Sequence, residues 1–436
     1  MKPSWRLAVR LAEFDRDRVP PAVPTDPDAV SRWTAEFVVD LVETVAGQYS
    51  GPDMRSRKVA LPVAPVPAPS TTASPMPGSR SNVRLDEPAL VTLDTIRAAA
   101  EVIRGVVVRT PLLPFGRPEN GDPLGRTRAW LKPESLQPIG AFKLRGAYYN
   151  IATLSAECRA AGVVAHSSGN HAQGVARAAR LLGVRAVIVM PSNAPRIKVE
   201  RVREDGAEIV FVGPSSEERA ERAAELARID GLSLVGPYDD AATITGQGTV
   251  GLEIVEQLAA LDERQSAVPR GGRTELAPFT VLVPVGGGGI ASGVAVAVKS
   301  LRADAVVVGV EPALAADARD SLAQGRIVTW PADMVGRTIA DGQRTTHIGR
   351  IPFALLRRYL DGIVTVTEDE IARAMVRASR EARLMLEPSG ATTLAAWLFH
   401  EDELPASGRV VSILSGGNVD PVRYDELLAR GVAAGG

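Results

Sequence analysis

Short apolar runs alternate with helical segments from residue 163 onward, and this alternation limits the possible folds more than any other feature. Such runs fit strands that are buried on both faces. The predicted strands are Val163–His166, Ala186–Met190, Glu208–Val212, Ser233–Val235, Thr280–Pro284, Val306–Glu311 and Val410–Leu414. The predicted helices include a segment from Leu93 and the segments Gln173–Leu182, Ala194–Glu204, Glu217–Ile229 and Thr245–Leu258. This order predicts an α/β protein with mainly parallel sheets that helices cover on both faces.

The first 88 residues are predicted to form a separate N-terminal extension. Asp26 can cap one short helix and Pro27 suits its first turn. The apolar face of this helix is Val30, Trp33, Phe37, Leu41 and Val45. Residues 60–81 are rich in proline, alanine, serine and threonine, which favours an extended, disordered linker.

The composition excludes several classes of partner. The 436 residues carry 50 Lys and Arg against 51 Asp and Glu, so no basic field favours nucleic acid or anionic lipid. No apolar run reaches the roughly 20 residues of a membrane span. The single cysteine, Cys158, cannot form an intrachain disulfide, and no Cys/His cluster has zinc-ligand spacing. We therefore expect a cytoplasmic protein that acts on small molecules.

Lys143 is a candidate nucleophile. It follows Phe142 and opens a Leu-Arg-Gly-Ala run that has the character of a helix start. Apolar surroundings disfavour the charged amine and lower its pKa, so that it can attack a carbonyl group to form an imine. A solvated lysine at an ordinary helix start is the alternative, and only other features of the chain can decide between them.

Two glycine-containing turns follow predicted strands and open predicted helices. The first, Ser167-Ser168-Gly169-Asn170-His171, combines hydroxyl groups with free backbone N–H groups, which suits a carboxylate or a phosphate. The second contains Gly286, Gly287, Gly288 and Gly289, which allow the backbone to close on a phosphate. A dinucleotide is an alternative ligand for the second turn, because Glu311 lies near the expected distance for a ribose-binding acid.

A third turn, Ser415-Gly416-Gly417-Asn418, also follows a strand. The Ser415 hydroxyl can pair with a ring nitrogen. An imine-forming lysine, a phosphate-binding turn and a hydroxyl group for a heteroaromatic nitrogen together indicate pyridoxal 5′-phosphate (PLP). The dinucleotide alternative leaves Lys143 and the other two turns without a role.

The chain from about residue 92 to 428 resembles fold-type II PLP enzymes of the serine/threonine dehydratase and serine racemase family. Such enzymes have a tryptophan synthase β-like fold, with the cofactor in the cleft between two α/β domains. The matching segments are 141–147 (AFKLRGA), 167–173 (SSGNHAQ), 246–249 (GQGT), 286–289 (GGGG), 338–342 (TIADG), 387–391 (EPSGA) and 415–418 (SGGN). Their combination and order are more specific than any one of them.

This resemblance implies a role for each matching residue. Lys143 would hold the cofactor as an imine and would then remove the substrate α-proton as general base. Phe142 would pack on the cofactor ring, and Asn170 would bond its 3-hydroxyl group. Gly286 to Gly289 would bind the phosphate, and Ser415 would pair with the pyridine nitrogen. The implied activity is that of an ammonia-lyase, which converts L-threonine or L-serine to an α-keto acid and ammonia.

The resemblance also implies sites beyond the cofactor. The substrate carboxylate would bind Ser167, Asn170 and His171. Ser168 stands where racemases of the family carry a serine, so serine racemase is an alternative, as is hydroxyaspartate dehydratase. Glu311, Ala315 and Asp317 match the spacing of a Mg²⁺ or Ca²⁺ site, and this reading competes with the dinucleotide one for Glu311. A dinucleotide-binding oxidoreductase or a ligand-binding protein without catalytic activity remains the alternative from another class.

Domain boundaries and assembly are expectations from the same resemblance. Residues 89–144 and 239–430 would form the large cofactor-binding domain, and residues 145–238 a small domain. A homodimer or homotetramer is expected. Two departures from the family pattern are Ala141, where a serine is frequent, and Gly236-Pro237, where His-Pro is common.

Overall fold

The computed structural model describes residues 90–116, 129–167, 169–194, 196–213, 215–265, 278–405 and 408–436. The predicted N-terminal helix and the proline-rich linker lie outside these residues, and so does Ser168. The described residues form two β-sheets with flanking helices, so the predicted α/β class is confirmed.

The described part of the chain contains ten strands, which divide between two sheets. They are Leu113–Phe115 (β1), Ala129–Pro133 (β2), Val163–His166 (β3), Ala186–Pro191 (β4), Glu208–Val212 (β5), Ser233–Leu234 (β6), Phe279–Pro284 (β7), Val306–Pro312 (β8), Gly362–Val366 (β9) and Arg409–Leu414 (β10). The larger sheet has the order β1–β2–β10–β7–β8–β9, and only β1 runs antiparallel to its neighbour. The smaller sheet has the order β5–β4–β3–β6 and is parallel throughout.

Helices connect most of the parallel strands. They are Leu93–Val102 (α1), Lys143–Thr153 (α2), Ala156–Ala161 (α3), Asn170–Leu182 (α4), Arg196–Glu204 (α5), Ser216–Ile229 (α6), Ala241–Gln265 (α7), Gly289–Leu301 (α8), Asp317–Gln324 (α9), Ala332–Val335 (α10), Arg350–Tyr359 (α11), Glu368–Arg377 (α12), Pro388–Phe399 (α13) and Pro421–Ala433 (α14). Local sequence explains several of their ends. Thr92 and Thr367 form capping boxes before α1 and α12, and Pro388 occupies the first turn of α13.

The larger sheet carries a hydrophobic core on each face. Successive strand side chains point to opposite faces, and β7 shows this directly. Val281 and Val283 pack with α7 and α8 in one core, whereas Leu282 packs with α12 and α13 in the other. Because both faces are covered, the strand must be apolar at consecutive positions, which is why an uninterrupted apolar run identified it.

Close helix crossings explain the Gly246-Gln247-Gly248-Thr249 segment. A Cβ atom on Gly248 would lie 2.9 Å from the Gly293 carbonyl oxygen of α8, and one on Gly293 would lie 2.4 Å from the Ile244 carbonyl oxygen. On the adjoining face of α7, a Cβ on Gly246 would lie 2.7 Å from the Arg145 carbonyl oxygen of α2. Glycine therefore allows α2, α7 and α8 to approach backbone to backbone, which links α2 through α7 to α8, the helix that packs on β7 and β8.

The observed elements differ from the predicted ones at a few places. All seven predicted strands are present, with changes of one residue at some ends. The prediction missed β1, β2 and β9. Strand β2 contains Lys132 and Pro133, which interrupt an apolar pattern, and β1 has only three residues. Helix α7 runs from Ala241 to Gln265, so it is longer at both ends than the predicted helix Thr245–Leu258.

Candidate active site

Lys143 is the first residue of α2, as predicted, and its amine faces the interior. The Nζ atom donates a hydrogen bond to the Pro237 carbonyl oxygen at 2.7 Å and lies 5.1 Å from the centre of the Phe142 ring. Burial lowers the pKa of Lys143 to about 8, although the nearby Glu387 carboxyl acts in the opposite direction. A substantial neutral fraction near neutral pH is the property that a Schiff-base lysine needs.

The segment before Lys143 is fixed to the turn that follows β10. The Phe142 N–H donates to the Ser415 carbonyl oxygen at 3.1 Å, and the Gly417 N–H donates to the Gly140 carbonyl oxygen at 2.9 Å. Ala141 forms an isolated antiparallel bridge with Gly416 between these two bonds. These contacts hold the predicted nucleophile beside the third glycine-containing turn, as its proposed role beside Ser415 requires.

Asn170 opens α4 and faces Glu387, which the sequence interpretation gave no role. The Asn170 Nδ2 atom donates to Glu387 Oε1 at 2.6 Å, and its Oδ1 atom accepts from Asn418 Nδ2 at 2.8 Å. Burial raises the pKa of Glu387 to about 8, and Asp341 adds to this effect. A buried, partly protonated carboxyl close to Lys143 is typical of a functional site, and its position in the 387–391 segment was the available signal.

The four glycines from Gly286 to Gly289 lie where β7 gives way to α8. Gly288 has φ of +91°, which favours glycine, and α8 begins at Gly289. A Cβ atom on Gly287 would lie 2.3 Å from the Tyr238 ring, so the loop also needs glycine where it packs on Tyr238. Tyr238 follows Pro237, whose carbonyl accepts from Lys143, so this loop and the lysine share one neighbouring segment.

Ser415 and Ser389 bring α13 to the same place. The buried Ser415 hydroxyl donates to the Ser389 carbonyl oxygen at 3.2 Å. The Ser389 hydroxyl accepts from the Gly342 N–H at 2.8 Å, so residues 338–342 are held against the start of α13. A Cβ atom on Gly390 would lie 2.1 Å from the Gly416 carbonyl oxygen, which explains a glycine at this position.

The His171 side chain, in the first glycine-containing turn, is already bonded within the fold. His171 is buried, and its Nε2 atom lies 2.9 Å from the Val235 carbonyl oxygen, to which it donates. Burial and Lys143 lower the pKa of His171 to about 3, so the ring is neutral and its unpartnered Nδ1 atom carries no proton. The side chain therefore offers no donor to a carboxylate in this geometry. Ser167 Oγ accepts from the Gly169 N–H at 3.1 Å.

A buried group of four charged residues supports α2 from below, and we call it the ion quartet. Arg145 pairs with Glu134 at 2.7 Å and with Glu253 at 2.6 Å, and Lys132 pairs with Glu253 at 2.6 Å. Burial would raise the pKa of Glu134, but Arg145, Lys132 and Thr110 together outweigh burial and lower it. Two positive and two negative charges balance, so the quartet anchors α2 without an unpaired buried charge. Sequence interpretation missed it, because Lys132 and Glu253 are 121 residues apart.

Glu311 and Asp317, two residues of the predicted cation site, are both buried and lie close enough for their charges to interact. The Glu311 carboxylate accepts from the backbone N–H groups of Ala318 at 3.0 Å and Arg319 at 2.8 Å. Burial and Asp317 raise the pKa of Glu311 well above its usual range, and burial raises that of Asp317 to about 7. Neither Asp317 side-chain oxygen has a hydrogen-bond partner of normal geometry among the described residues. Ala315 is buried beside them.

Comparison with known proteins agrees with this geometry. Residues 103–416 match the profile of the family described as pyridoxal-phosphate dependent enzyme. The match covers most of the chain, so the protein belongs to this family. It is an α/β enzyme of the fold-type II group that includes serine/threonine dehydratases and serine racemases.

Individual relatives carry several activities. An L-threonine ammonia-lyase of Thermotoga maritima is 38% identical over 80% of this chain and 80% of its own. An L-threo-3-hydroxyaspartate ammonia-lyase of Saccharomyces cerevisiae is 38% identical over 78% of this chain and 96% of its own. The structure of maize serine racemase superimposes with a TM-score of 0.68 at 35% identity, and it covers 79% of this chain and 98% of its own.

Family membership decides against the dinucleotide alternative. The Glu311 carboxylate, which suggested a ribose-binding acid, is occupied by two backbone N–H groups at the start of α9. Two further features are absent from the described residues. No helix among them is long and apolar enough to span a membrane, and no three His, Cys, Asp or Glu side chains in the same residues are grouped to hold a metal ion.

Proposed function

We propose that the protein is a PLP-dependent ammonia-lyase that converts L-threonine or L-serine to an α-keto acid and ammonia. The observation that carries this proposal is the Lys143 amine, whose pKa is lowered to about 8 at a point where the starts of α2, α4 and α13 and the end of β10 meet. Relatives that are named L-threonine ammonia-lyase, at 37% and 38% identity, and one that is named L-threonine dehydratase, at 40%, support the choice of reaction.

The residues of the site fit the cofactor. No N–H group of Gly286 to Gly289 donates a hydrogen bond within the part of the chain that the structure describes, and the start of α8 adds a favourable dipole for a phosphate. The Ser415 hydroxyl is buried near the Lys143 segment. When bound, PLP supplies an electron sink for the negative charge that forms at the substrate α-carbon. We assign Gly286 to Gly289 to its phosphate and Ser415 to its ring nitrogen.

The Lys143 amine is the proposed general base. In its neutral form, Nζ can accept the substrate α-proton, and a pKa of about 8 places this form within reach at physiological pH. The neutral form is favoured by burial of the amine. The Phe142 ring, 5.1 Å from Nζ, does not add to this effect, because an aromatic face attracts a cation. Ser415 is uncharged, and a neutral partner does not hold a proton on the ring nitrogen, so loss of the β-hydroxyl group is favoured over reprotonation.

The substrate carboxylate is assigned to the turn before α4. The start of α4 presents backbone N–H groups from Asn170 and His171, and the Ser167 hydroxyl lies on the same turn. A helix N-terminus is a favourable position for a carboxylate. Because the His171 ring is neutral and bonded to Val235, we assign its backbone N–H, and not its side chain, to the substrate.

Borohydride reduction tests the central assignment. The purified holoenzyme should be yellow, and reduction followed by peptide mapping should label Lys143. Lys143→Ala should lose the visible band and the ammonia-lyase activity, because no other amine occupies this position. Lys299→Ala is a suitable control, since Lys299 pairs with Asp361 at 2.7 Å on a partly exposed surface and has no assigned role.

Labelling at another lysine, or an unlabelled yellow protein, would contradict the assignment. A colourless protein that does not take up PLP would contradict the proposed function as a whole. Steady-state rates with L-threonine, L-serine and L-threo-3-hydroxyaspartate then define the substrate, because a difference of one methyl group is worth only about 1–3 kcal/mol in a pocket.

Serine racemase and hydroxyaspartate ammonia-lyase are the second candidate activities. Relatives with these names are 37% and 38% identical to this chain. By resemblance to the family, Ser168 would be the proton donor on the cofactor face opposite Lys143, and it lies outside the described residues. D-serine formation by wild type and by Ser168→Ala tests this role, and equal rates would exclude it.

A divalent cation at Glu311, Ala315 and Asp317 is also proposed. Its support is the pair of buried carboxyl groups, one of which lacks hydrogen-bond partners of normal geometry in the described part of the chain. Oxygen ligands of this kind suit Mg²⁺ or Ca²⁺. Calcium should raise the melting temperature of wild type and not that of Asp317→Asn. Equal shifts would show that the cation binds elsewhere.

We propose a large domain of residues 89–144 and 239–430 and a small domain of residues 145–238. All four strands of the smaller sheet lie within the latter range, which supports this division. A homodimer or homotetramer is proposed from the family, and size-exclusion chromatography with light scattering tests it. A reducing cytoplasm remains the proposed compartment, because the sequence has a single cysteine.

A further inference from the structure

We propose that Arg201 and Asn418 are positioning residues that fix which way the Asn170 amide faces. They form a continuous hydrogen-bonded chain with Asn170 and Glu387. Arg201 Nη1 donates to Asn418 Oδ1 at 2.5 Å, Asn418 Nδ2 donates to Asn170 Oδ1 at 2.8 Å, and Asn170 Nδ2 donates to Glu387 Oε1 at 2.6 Å. This proposal rests on the cofactor site that is assigned above.

The direction of the chain follows from the chemistry of its first member. A guanidinium group has only donors, so the atom of Asn418 that faces Arg201 must be the carbonyl oxygen. The Asn418 amide nitrogen must then face Asn170, whose own oxygen turns toward Asn418. The Asn170 nitrogen is consequently directed at Glu387. Each amide orientation is thus determined by its neighbour, and reversing one would place like groups face to face.

Each side-chain amide has two Nδ2 hydrogens, and one of the two on Asn170 is not used within this group of residues. Asn418 uses both of its Nδ2 hydrogens, one on Asn170 Oδ1 and one on the Ile139 carbonyl oxygen at 2.7 Å. Asn170 uses one Nδ2 hydrogen on Glu387. The second Nδ2 hydrogen of Asn170 has no acceptor among the residues that the structure describes, and it is the donor that the 3-oxygen of PLP would require. A reversed Asn170 amide would present an oxygen lone pair in its place.

Two glycines make room for these hydrogen-bonded side chains. Gly140 has φ of +72°, and a Cβ atom there would lie 2.5 Å from Asn418 Oδ1. A Cβ atom on Gly416 would lie 2.3 Å from Glu387 Oε1 and 3.2 Å from Asn170 Nδ2. The backbone on either side of the Lys143 segment is therefore shaped around these four side chains.

The hydrogen-bonded series of Arg201, Asn418, Asn170 and Glu387 also connects the two sheets. Arg201 lies on α5, which packs beside the smaller sheet. Asn418 follows β10 of the larger sheet, and Glu387 immediately precedes α13, which packs on that sheet. Lys198, one turn earlier on α5, pairs with Asp341 at 2.9 Å. The amide orientation at the cofactor therefore depends on α5 lying against the larger sheet.

Two substitutions test the inference in the full-length protein. Asn418→Asp removes the donor that faces Asn170 and favours a reversed amide, whereas Arg201→Met removes the first donor of the chain. We expect Asn418→Asp to weaken PLP binding by about tenfold or more, which is the range of a hydrogen bond to a charged group. The pH midpoint of the visible absorption band should rise, because a negative 3-oxygen without its donor holds the shared proton more tightly.

Conservative and matched variants separate positioning from folding. Arg201→Lys keeps a donor and should resemble wild type more than Arg201→Met does. Arg203→Met removes an exposed arginine from the same helix and should change neither the PLP affinity nor the pH midpoint of the absorption band. Melting temperatures identify any variant that fails to fold, and in that case the comparison of Arg201→Met with Arg201→Lys decides.

The outcomes are distinguishable from failure of the proposed function. If wild type is not labelled at Lys143 by borohydride, the cofactor site itself is wrong. If wild type is labelled but Asn418→Asp and Arg201→Met both keep the PLP affinity and absorption midpoint of Arg203→Met, only the positioning role is wrong.

Discussion

At the scale of single residues, the site depends on an amine that the fold makes less basic. Desolvation of Lys143 lowers its pKa from 10.5 to about 8, and the Glu387 carboxyl only partly offsets this. The same burial that prepares the amine for reaction disfavours its charged form in the folded protein. Reactivity at this position therefore has an energetic cost that a neutral side chain would avoid.

Lys143→Met should stabilise the cofactor-free protein at pH 7. A base whose folded pKa is lowered binds fewer protons when folded, so the penalty is full below pH 8 and disappears as the pH rises to 10.5. The gain should be on the order of 1–3 kcal/mol at pH 7 and should shrink across that range. Urea unfolding of both proteins as a function of pH measures it, and parallel curves would show that burial of the amine costs nothing.

The individual residues of the site differ in how far sequence could predict them. Lys143 at the start of α2 and the glycine loop before α8 lie where predicted, because each sits at a strand or helix end with a local signature. Glu387 and the ion quartet could not be assigned in this way. Their roles arise from contacts between distant segments, such as Asn170 with Glu387 over 217 residues.

At the scale of elements, glycine-lined helix crossings decide where the site residues stand. The α7–α8 crossing brings the Gly248 and Gly293 backbones together, and the neighbouring α2–α7 crossing fixes the start of α2. Close backbone packing leaves little freedom to move one helix without the other. The position of Lys143 is thus set partly by residues that never contact it.

Gly293→Ala should test this packing. The added methyl group would lie 2.4 Å from the Ile244 carbonyl oxygen and 2.6 Å from the Gly248 nitrogen, so α7 and α8 must separate. We expect a loss of about 1–3 kcal/mol or more in unfolding free energy. Gly362→Ala is the control, because nothing lies within 4 Å of its new methyl group. Equal stability of the two variants would contradict the packing account.

Elements with a strong local pattern were predictable, and the others were not. Strands such as β4 and β7 are buried at every position and are apolar except for Thr280 of β7, so their sequences identify them. Strand β2 was missed because its Lys132 is buried by pairing with Glu253, which only the folded chain brings near. Strand β9 has the sequence GIVTV, and its four consecutive β-branched residues could have indicated a strand.

At the scale of the whole molecule, the proposed cofactor site takes residues from both sheets. Asn170 follows β3 of the smaller sheet, whereas the Gly286 to Gly289 loop and Ser415 follow strands of the larger one. Both groups lie at the carboxyl ends of parallel strands, where ligands bind in open α/β sheets. A ligand held this way should stabilise the two sheets against separation.

Removal of PLP should therefore lower the stability of the whole described region. At a free PLP concentration of about 100 times Kd, the expected stabilisation is about 2.7 kcal/mol. Differential scanning calorimetry of the holoenzyme and the cofactor-free enzyme measures it, with Lys143→Ala plus PLP as the control. An unchanged melting temperature on cofactor removal would contradict a site shared by the two sheets.

The ion quartet beneath α2 also constrains how such a chain can diverge. Replacing Arg145 alone would leave the buried Glu134 carboxylate without its main partner, and a change of this kind lowers the free energy of unfolding by about 3–5 kcal/mol. Exchanging both partners together for well-packed apolar residues avoids that loss. Functional homologues of this sequence should therefore change these positions in pairs. A substitution at one position should be tolerated only when the residue that it contacts is also replaced.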